Sequence, residues 1–137
     1  MVYLAESVPG AILEVVVHLL ENTVLPDGLT LIRVDYPAAM ECETIQEADL
    51  AEGWAANLAA TRSWGYSWAL RCKTALSAVP SAIAPNTRNF LLNPLHPDSP
   101  HIKIDQHFEF DLDRRLQHLA DFALSYRDEI SYVLPEK

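Results

Sequence analysis

The stretch "AVPSAIAPNTRNFLLNPLHP", Ala78 to Pro97, constrains the fold more than any other part of the chain. Two short apolar runs, "LSAVPSAIA" and "NFLLN", flank the turn-forming "PNTR", a pattern that predicts an antiparallel β-hairpin. Pro80 has no N–H to give a ladder bond, so the first strand is expected at a sheet edge or to begin near Ser81. One hairpin register sets Ser81 opposite Asn93, and the other sets it opposite Leu92. In the first, a hydroxyl and an amide converge on an otherwise apolar face, where buried polar groups require partners. Spacing leaves two options open: the groups satisfy each other and nearby backbone, or they serve a ligand. Asn89 shares the Asn93 and Leu91 face, and Asn93–Pro94 is also an ordinary strand-ending pair.

The remaining elements follow from periodicity and caps. "VYLA" at Val2 to Ala5 reads as a short strand, and Ser7 as N-cap with Pro9 in the first turn predicts a helix from about Pro9 to Glu21. After the "PDG" turn at Pro26 to Gly28, "LTLIRVDYP" reads as a strand apolar on both faces, hence central, ended by Pro37. The acidic "AAMECETIQEADLAEGW" is expected as a surface loop with a helical turn. "NLAATRSWGYSWALRCK" reads as a helix with Trp64 and Trp68 on one core-facing side, weakened at Gly65 by about 1 kcal/mol relative to alanine. In "HIKIDQHFEF", Ile102, Ile104, Phe108 and Phe110 alternate with Lys103, Asp105, His107 and Glu109, the pattern of a half-buried strand. Beyond Asp113, the spacing of Leu116, Leu119, Ala123 and Tyr126 predicts an amphipathic helix packed on the domain or on a second copy, which leaves a homodimer open. The class is therefore α+β, with a mainly antiparallel sheet core and flanking helices.

Composition narrows the function classes. A chain of 137 residues, half of them hydrophobic, is expected to form one globular domain. Acidic residues outnumber basic ones by 19 to 10, giving a net charge of -9, which disfavours direct nucleic-acid binding and attracts basic partners. The longest apolar run, Val15 to Leu20, is broken by His18 and falls far short of the ~20 residues that span a bilayer, so no membrane anchor is expected. "MVYLAES" lacks a basic n-region, and Cys42 and Cys72 lack CxxC spacing; both features point to reduced thiols and a cytoplasmic protein. No P-loop, GxGxxG or GxSxG occurs, and with glycine only at 10, 28, 53 and 65 there is no Gly-rich phosphate cradle. Glu14 with His18, and His96 with His101 and His107, do not form a recognised ligand spacing, so no metal is expected. Glu14 stands inside the apolar "AILEVVVHLL". It belongs either to a narrow solvated strip with Gly10, His18 and Glu21, or to a cleft as a partly desolvated carboxylate.

Several motifs stand in a fixed order: "VYLAESVPGAILE", "GW", "GYSW", "VPSAIAP", "NFLLNPLHP" and "FEFDLDRRL". Together they resemble the RES domain, the toxin component of bacterial Xre–RES toxin–antitoxin modules, over residues 1–116; residues 117–137 lie outside the resemblance. The VPSA and N-x-LLNPxHP elements carry most of it. The resemblance implies a fold similar to ADP-ribosyltransferases and degradation of NAD+ by cleavage of its nicotinamide–ribose bond, with water or phosphate as acceptor. NAD+ would be the substrate, with no further cofactor. It implies as partner a basic Xre-like helix-turn-helix antitoxin that blocks the site. By position, Glu14 corresponds to the family's catalytic glutamate, Ser81 to its serine and Tyr3 to the tyrosine of its V-Y-L strand. Asn93 corresponds to the asparagine of its NP pair, which makes it, with Tyr3, a candidate substrate-binding residue. In that scheme Glu14 stabilises positive charge developing on the ribose, Tyr3 positions the nicotinamide ring, and Ser81 hydrogen-bonds the nicotinamide side or the ribose.

The family also carries an arginine, in a G-x-R-W-like context, before the V-Y-L strand. This chain opens at that strand with "MVY", and Arg33, Arg62, Arg71 and Arg88 do not match the motif, although the NAD+ pyrophosphate calls for cationic or amide donors. Two expectations follow: an internal start within a longer toxin, or a catalytically impaired relative acting only in antitoxin or partner binding. Protein ADP-ribosylation is a third reading on the same fold.

Overall fold

The computed structural model describes residues 1–21, 28–116 and 118. In chain order these form β1 (Val2–Ala5), α1 (Val8–Glu21), β2 (Leu29–Asp35), β3 (Cys42–Thr44), α2 (Leu58–Arg71), β4 (Leu76–Pro80), β5 (Arg88–Leu92) and β6 (Lys103–Phe110). Single 3-10 turns occur at Glu47–Asp49, Trp54–Ala56 and Ser99–His101. Both helices begin where the sequence offers a cap. Ser7 Oγ accepts the Gly10 N–H at 3.3 Å, and Asn57 Oδ1 accepts the Ala60 N–H at 3.0 Å. α2 ends where Cys72 turns into the left-handed region at φ 49°.

The main sheet has the strand order β1-β5-β4-β3. The β1–β5 and β4–β5 pairs are antiparallel and β3–β4 is parallel. Residues paired across an antiparallel ladder share a face. Tyr3, Leu91 and Ser77 therefore lie on one face with Ala5, Asn89 and Val79, while Leu4, Phe90 and Ala78 lie on the other. α1 and α2 both cover the first face: a Cβ on Gly10 would meet Ala5 Cβ at 3.5 Å, and one on Gly65 would meet Leu91 Cδ1 at 3.8 Å. On the opposite face Tyr36 packs against Phe90, ring centroids 6.3 Å apart. Trp68, Leu76, Ala75, Ala78, Leu91 and Val16 are buried between and around these layers.

Several expectations change at this level. The hairpin forms, but neither anticipated register does: Val79 pairs with Asn89 and Pro80 with Arg88, so the ladder ends before Ser81. The Ser81 N–H instead donates to Thr87 O at 3.1 Å and opens the connecting loop, in which Asn86 adopts φ 61°. Asn93 stands beyond the other end, its N–H donating to Ala75 O at 2.9 Å. β4 is a central strand and not an edge, and Pro80 is tolerated because it lies past the last β3 pair, Thr44 with Ala78. The acidic segment contributes β3, a three-residue parallel strand that its polar sequence does not advertise.

β2 is not central. It pairs with β6 in a separate two-stranded ribbon, and Ile32 (51%) and Ile104 (67%) are exposed. β6 is likewise not half-buried, and a bulge between Arg33 and Val34 breaks its alternation: Arg33 pairs with Gln106 but Val34 with Ile104. Gln106, the one polar residue on the expected apolar face, flags this irregularity. The helix expected over 117–137 lies outside the described residues, His118 apart.

Candidate active site

Three elements converge on one carboxylate. Glu14 is half-buried on α1, where the helix crosses the face of the sheet that carries Tyr3 and Asn89. Its Oε1 accepts hydrogen bonds from Asn89 Nδ2 at 2.8 Å, Tyr3 OH at 3.4 Å and Ser81 Oγ at 3.5 Å. Its Oε2 has no hydrogen-bond partner among the described residues. Asn89 Nδ2 also donates to the Tyr3 oxygen at 2.5 Å, closing a triangle of side chains from β1, β5 and α1. The amide orientation follows from charge, because its carbonyl oxygen facing a carboxylate would be repelled.

The surroundings fix what each group can do. The Tyr3 hydroxyl is pushed up to about 12, first because it is withdrawn from solvent and then because the Glu14 carboxylate repels a phenolate, with the Asn89 donor acting the other way. Tyr3 is thus a proton donor across the physiological range, while the residue as a whole remains about half exposed (48%). Ser81 is buried, and its Oγ accepts the backbone N–H groups of Ile83 at 3.2 Å and Ala84 at 3.1 Å. With both lone pairs directed at those amides, the hydroxyl is left to donate, and Glu14 is the acceptor it faces. This describes an oriented donor and not a nucleophile.

The structure therefore brings together Tyr3, Glu14 and Ser81, and leaves Asn93 elsewhere. Asn93 is buried at the far end of β5, where Nδ2 donates to Ala69 O at 3.0 Å and Oδ1 accepts the Leu95 N–H at 3.1 Å. It ties the C-terminal turn of α2 to the "NPLHP" loop and has no bond to the Glu14 cluster. Asn89 holds the position in the cluster that sequence reasoning gave to no residue. The available signal was its two-residue spacing from Leu91 in a strand, which marks an amide pointing to a buried face.

Among the described residues, no arginine or lysine bonds to the cluster. Arg33 pairs with Asp35 at 3.1 Å on the ribbon and Arg71 with Glu43 at 3.5 Å. Arg88 alternates with Asn89 and so projects from the opposite face. Concavities of about 480 Å³, around Leu29 and Phe110, and about 400 Å³, around Thr74 and His96, do not include the cluster residues. Among the described residues, no group of three or more His, Cys, Asp or Glu side chains is placed to hold a metal ion, and no helix is long and apolar enough to cross a membrane.

The site thus sets a carboxylate held by neutral donors beside a half-exposed tyrosine on an α+β scaffold, and comparison with known proteins supplies the class. The RES domain family model matches residues 1–113, and the chain belongs to that family, whose fold is ADP-ribosyltransferase-like. It is 40% identical over 120 residues to "Toxin Res" of Pseudomonas putida, covering 85% of this chain and 79% of that protein. It is 39% identical over 107 residues to "Prs ADP-ribosylating toxin" of a Sphingobium species, covering 75% of this chain and 66% of that one.

Proposed function

We infer that the chain is a RES-type toxin that consumes NAD+ by cleaving its nicotinamide–ribose bond. The observation that carries this reading is the convergence of Tyr3, Asn89 and Ser81 on one oxygen of Glu14, which leaves its other oxygen without a partner among the described residues, beside a half-exposed tyrosine. In the reaction the C1′–N1 bond breaks and its electron pair passes to the nicotinamide ring nitrogen, cancelling the ring's positive charge. The ribose becomes oxocarbenium-like, and Glu14 stabilises that charge and binds a ribose hydroxyl. An oxygen of water or phosphate then bonds to C1′, giving ADP-ribose and a proton, or ADP-ribose phosphate. The Tyr3 ring holds the nicotinamide by stacking, and the Ser81 hydroxyl keeps Glu14 in place. Such a protein works in the cytoplasm, where NAD+ is available.

The test is release of nicotinamide from NAD+, with and without phosphate, by the wild type and by Glu14→Gln. Equal release by the two proteins defeats the reading. As a toxin the chain calls for an antitoxin, and its net charge of -9 favours a basic one of Xre helix-turn-helix type. Co-expression with a neighbouring helix-turn-helix protein and recovery of a complex tests that half.

The similarity to a protein named as an ADP-ribosylating toxin supports a second reading, in which a protein side chain takes the place of water. Radiolabel carried from NAD+ onto another polypeptide distinguishes it from simple glycohydrolysis.

A further inference from the structure

We propose that Asn89 is a positioning residue that divides the work of Glu14 between its two oxygens, locking Oε1 to the sheet so that Oε2 alone is presented to the substrate. The proposal rests on the NAD+-cleaving reading above and deepens it.

A carboxylate at the end of a glutamate side chain has three rotatable bonds and two equivalent oxygens, so a fixed orientation must come from its neighbours. Here Oε1 takes all of the cluster's donors, with Asn89 the nearest at 2.8 Å, while Tyr3 and Ser81 stand at 3.4 and 3.5 Å. Asn89 is also the best anchored of them: it is 2% exposed and sits in the ladder of β5 between β1 and β4. Its two amide hydrogens reach Glu14 Oε1 and the Tyr3 oxygen at once. The Tyr3 hydroxyl, relieved of its lone-pair demand by Asn89, directs its own hydrogen at Glu14. One buried amide therefore sets both the acid residue and the aromatic residue that flank the substrate position. A neutral donor is suited to this work, because a cation there would neutralise the charge that has to meet the oxocarbenium-like ribose.

The experiment compares wild type, Asn89→Leu and Asn89→Asp by steady-state kinetics on NAD+ across pH, together with side-chain amide NMR of the unmodified protein. Loss of a donor to a charged group predicts a kcat for Asn89→Leu lower by roughly 10- to 100-fold, with KM changed by less than about threefold. Asn89→Asp keeps the shape but sets a second carboxylate against Glu14. It is expected to be as weak near neutral pH, where two like charges face each other, and to recover in acid, where the pair shares a proton and regains a donor. A raised KM with unchanged kcat, or an Asn89→Asp profile parallel to wild type, overturns the proposal.

The NMR measurement needs neither turnover nor a variant at position 89. The Asn89 side-chain NH2 signals should move when Glu14 is changed to Gln, because the carboxylate oxygen that one of those hydrogens faces is lost. Signals indifferent to Glu14→Gln overturn the positioning role. If wild type releases no nicotinamide, the catalytic reading fails on that count, and the amide signals alone decide whether Asn89 positions Glu14.

Discussion

Asn89 and Glu14 are 75 residues apart in sequence and meet at 2.8 Å, an amide of the central sheet holding a carboxylate of the first helix. The contact depends on two independent features of the chain. The Ser7 cap starts α1 so that Glu14 returns over the sheet, and the β1–β5 register sets Ala5 beside Asn89 on the covered face. A shift of one residue in that register would put Tyr3 and Asn89 on opposite faces of the sheet.

Replacing Glu14 with Gln removes the charge but keeps the shape. Nicotinamide release is expected to fall by at least about 100-fold, the usual scale for losing one electrostatic contributor to a transition state. The Tyr3 phenol should drop from about 12 toward its ordinary value of 10.0, since the carboxylate is one of the causes that raise it. Titration of ¹³C-labelled tyrosine followed by NMR reads the second effect, and a Tyr3 signal unmoved by Glu14→Gln would contradict the geometry.

Ser81→Ala removes the acceptor of two backbone N–H groups as well as a donor to Glu14. A buried amide left without a partner costs about 1–3 kcal/mol, and because Ile83 and Ala84 are only partly buried the variant should be less stable by the low end of that range, about 1 kcal/mol. The loss should be local. Hydrogen exchange at the Ile83 and Ala84 amides is expected to speed up while that of β4 and β5 amides keeps its order of protection.

Asn93→Ala separates architecture from chemistry. It deletes the bonds to Ala69 and Leu95 that join α2 to the turn after β5, and a cost of about 1–3 kcal/mol in urea unfolding is expected. Where the folded fraction is held equal, kcat on NAD+ should stay within about twofold of wild type. A large fall in kcat with unchanged stability would return Asn93 to the substrate site.

Much of this was legible in the chain. β1, α1, α2 and the β4–β5 hairpin carry local signals, namely Ser7 and Asn57 as caps and apolar runs around a turn, and all of them form. What escaped were relationships set by tertiary packing. The hairpin register depends on where the ladder stops, and a loop from Ser81 to Thr87 longer than "PNTR" moves the pairing by several residues. β3 exists because its parallel ladder with β4 uses backbone groups and asks little of its side chains. β2 looked central because it is apolar on both faces, and its place in an exposed ribbon follows from pairing with β6 alone. At the site, motif order singled out Tyr3, Glu14, Ser81 and Asn93, and the structure brings the first three together. The spacing of Asn89 from Leu91 put the amide on one strand face, and the pairing with Ala5 and Val79 shows that this is the covered face.

Gly65 lies on the side of α2 that faces the sheet. A Cβ there would stand 3.1 Å from Met1 Cε and 3.4 Å from Met1 Sδ, the far end of a flexible side chain, and 3.8 Å from Leu91 Cδ1. Gly65→Ala gains helix propensity of about 1 kcal/mol against a small shift of Met1, so its stability should match or slightly exceed wild type. Gly65→Leu cannot be accommodated by Met1 alone and should destabilise by about 1–3 kcal/mol through overpacking against Leu91. Chemical denaturation of the pair checks the sign of each.

Tyr3 also gives the fold a signature at high pH. Its phenol ionises near 12 in the folded protein against 10.0 in the unfolded chain. Below about pH 10 both states hold the proton, and the contribution to stability is complete. Between about 10 and 12 the unfolded chain releases the proton while the folded one retains it, so unfolding is favoured progressively as pH rises, and the contribution is lost above about 12. Tyr3→Phe has no proton to release and should lack this part of the alkaline decline. Urea midpoints for both proteins at about pH 9 and about pH 11 should therefore converge as pH rises, wild type falling further than Tyr3→Phe. Parallel declines would show that the Tyr3 hydroxyl is not held between Asn89 and Glu14 in solution.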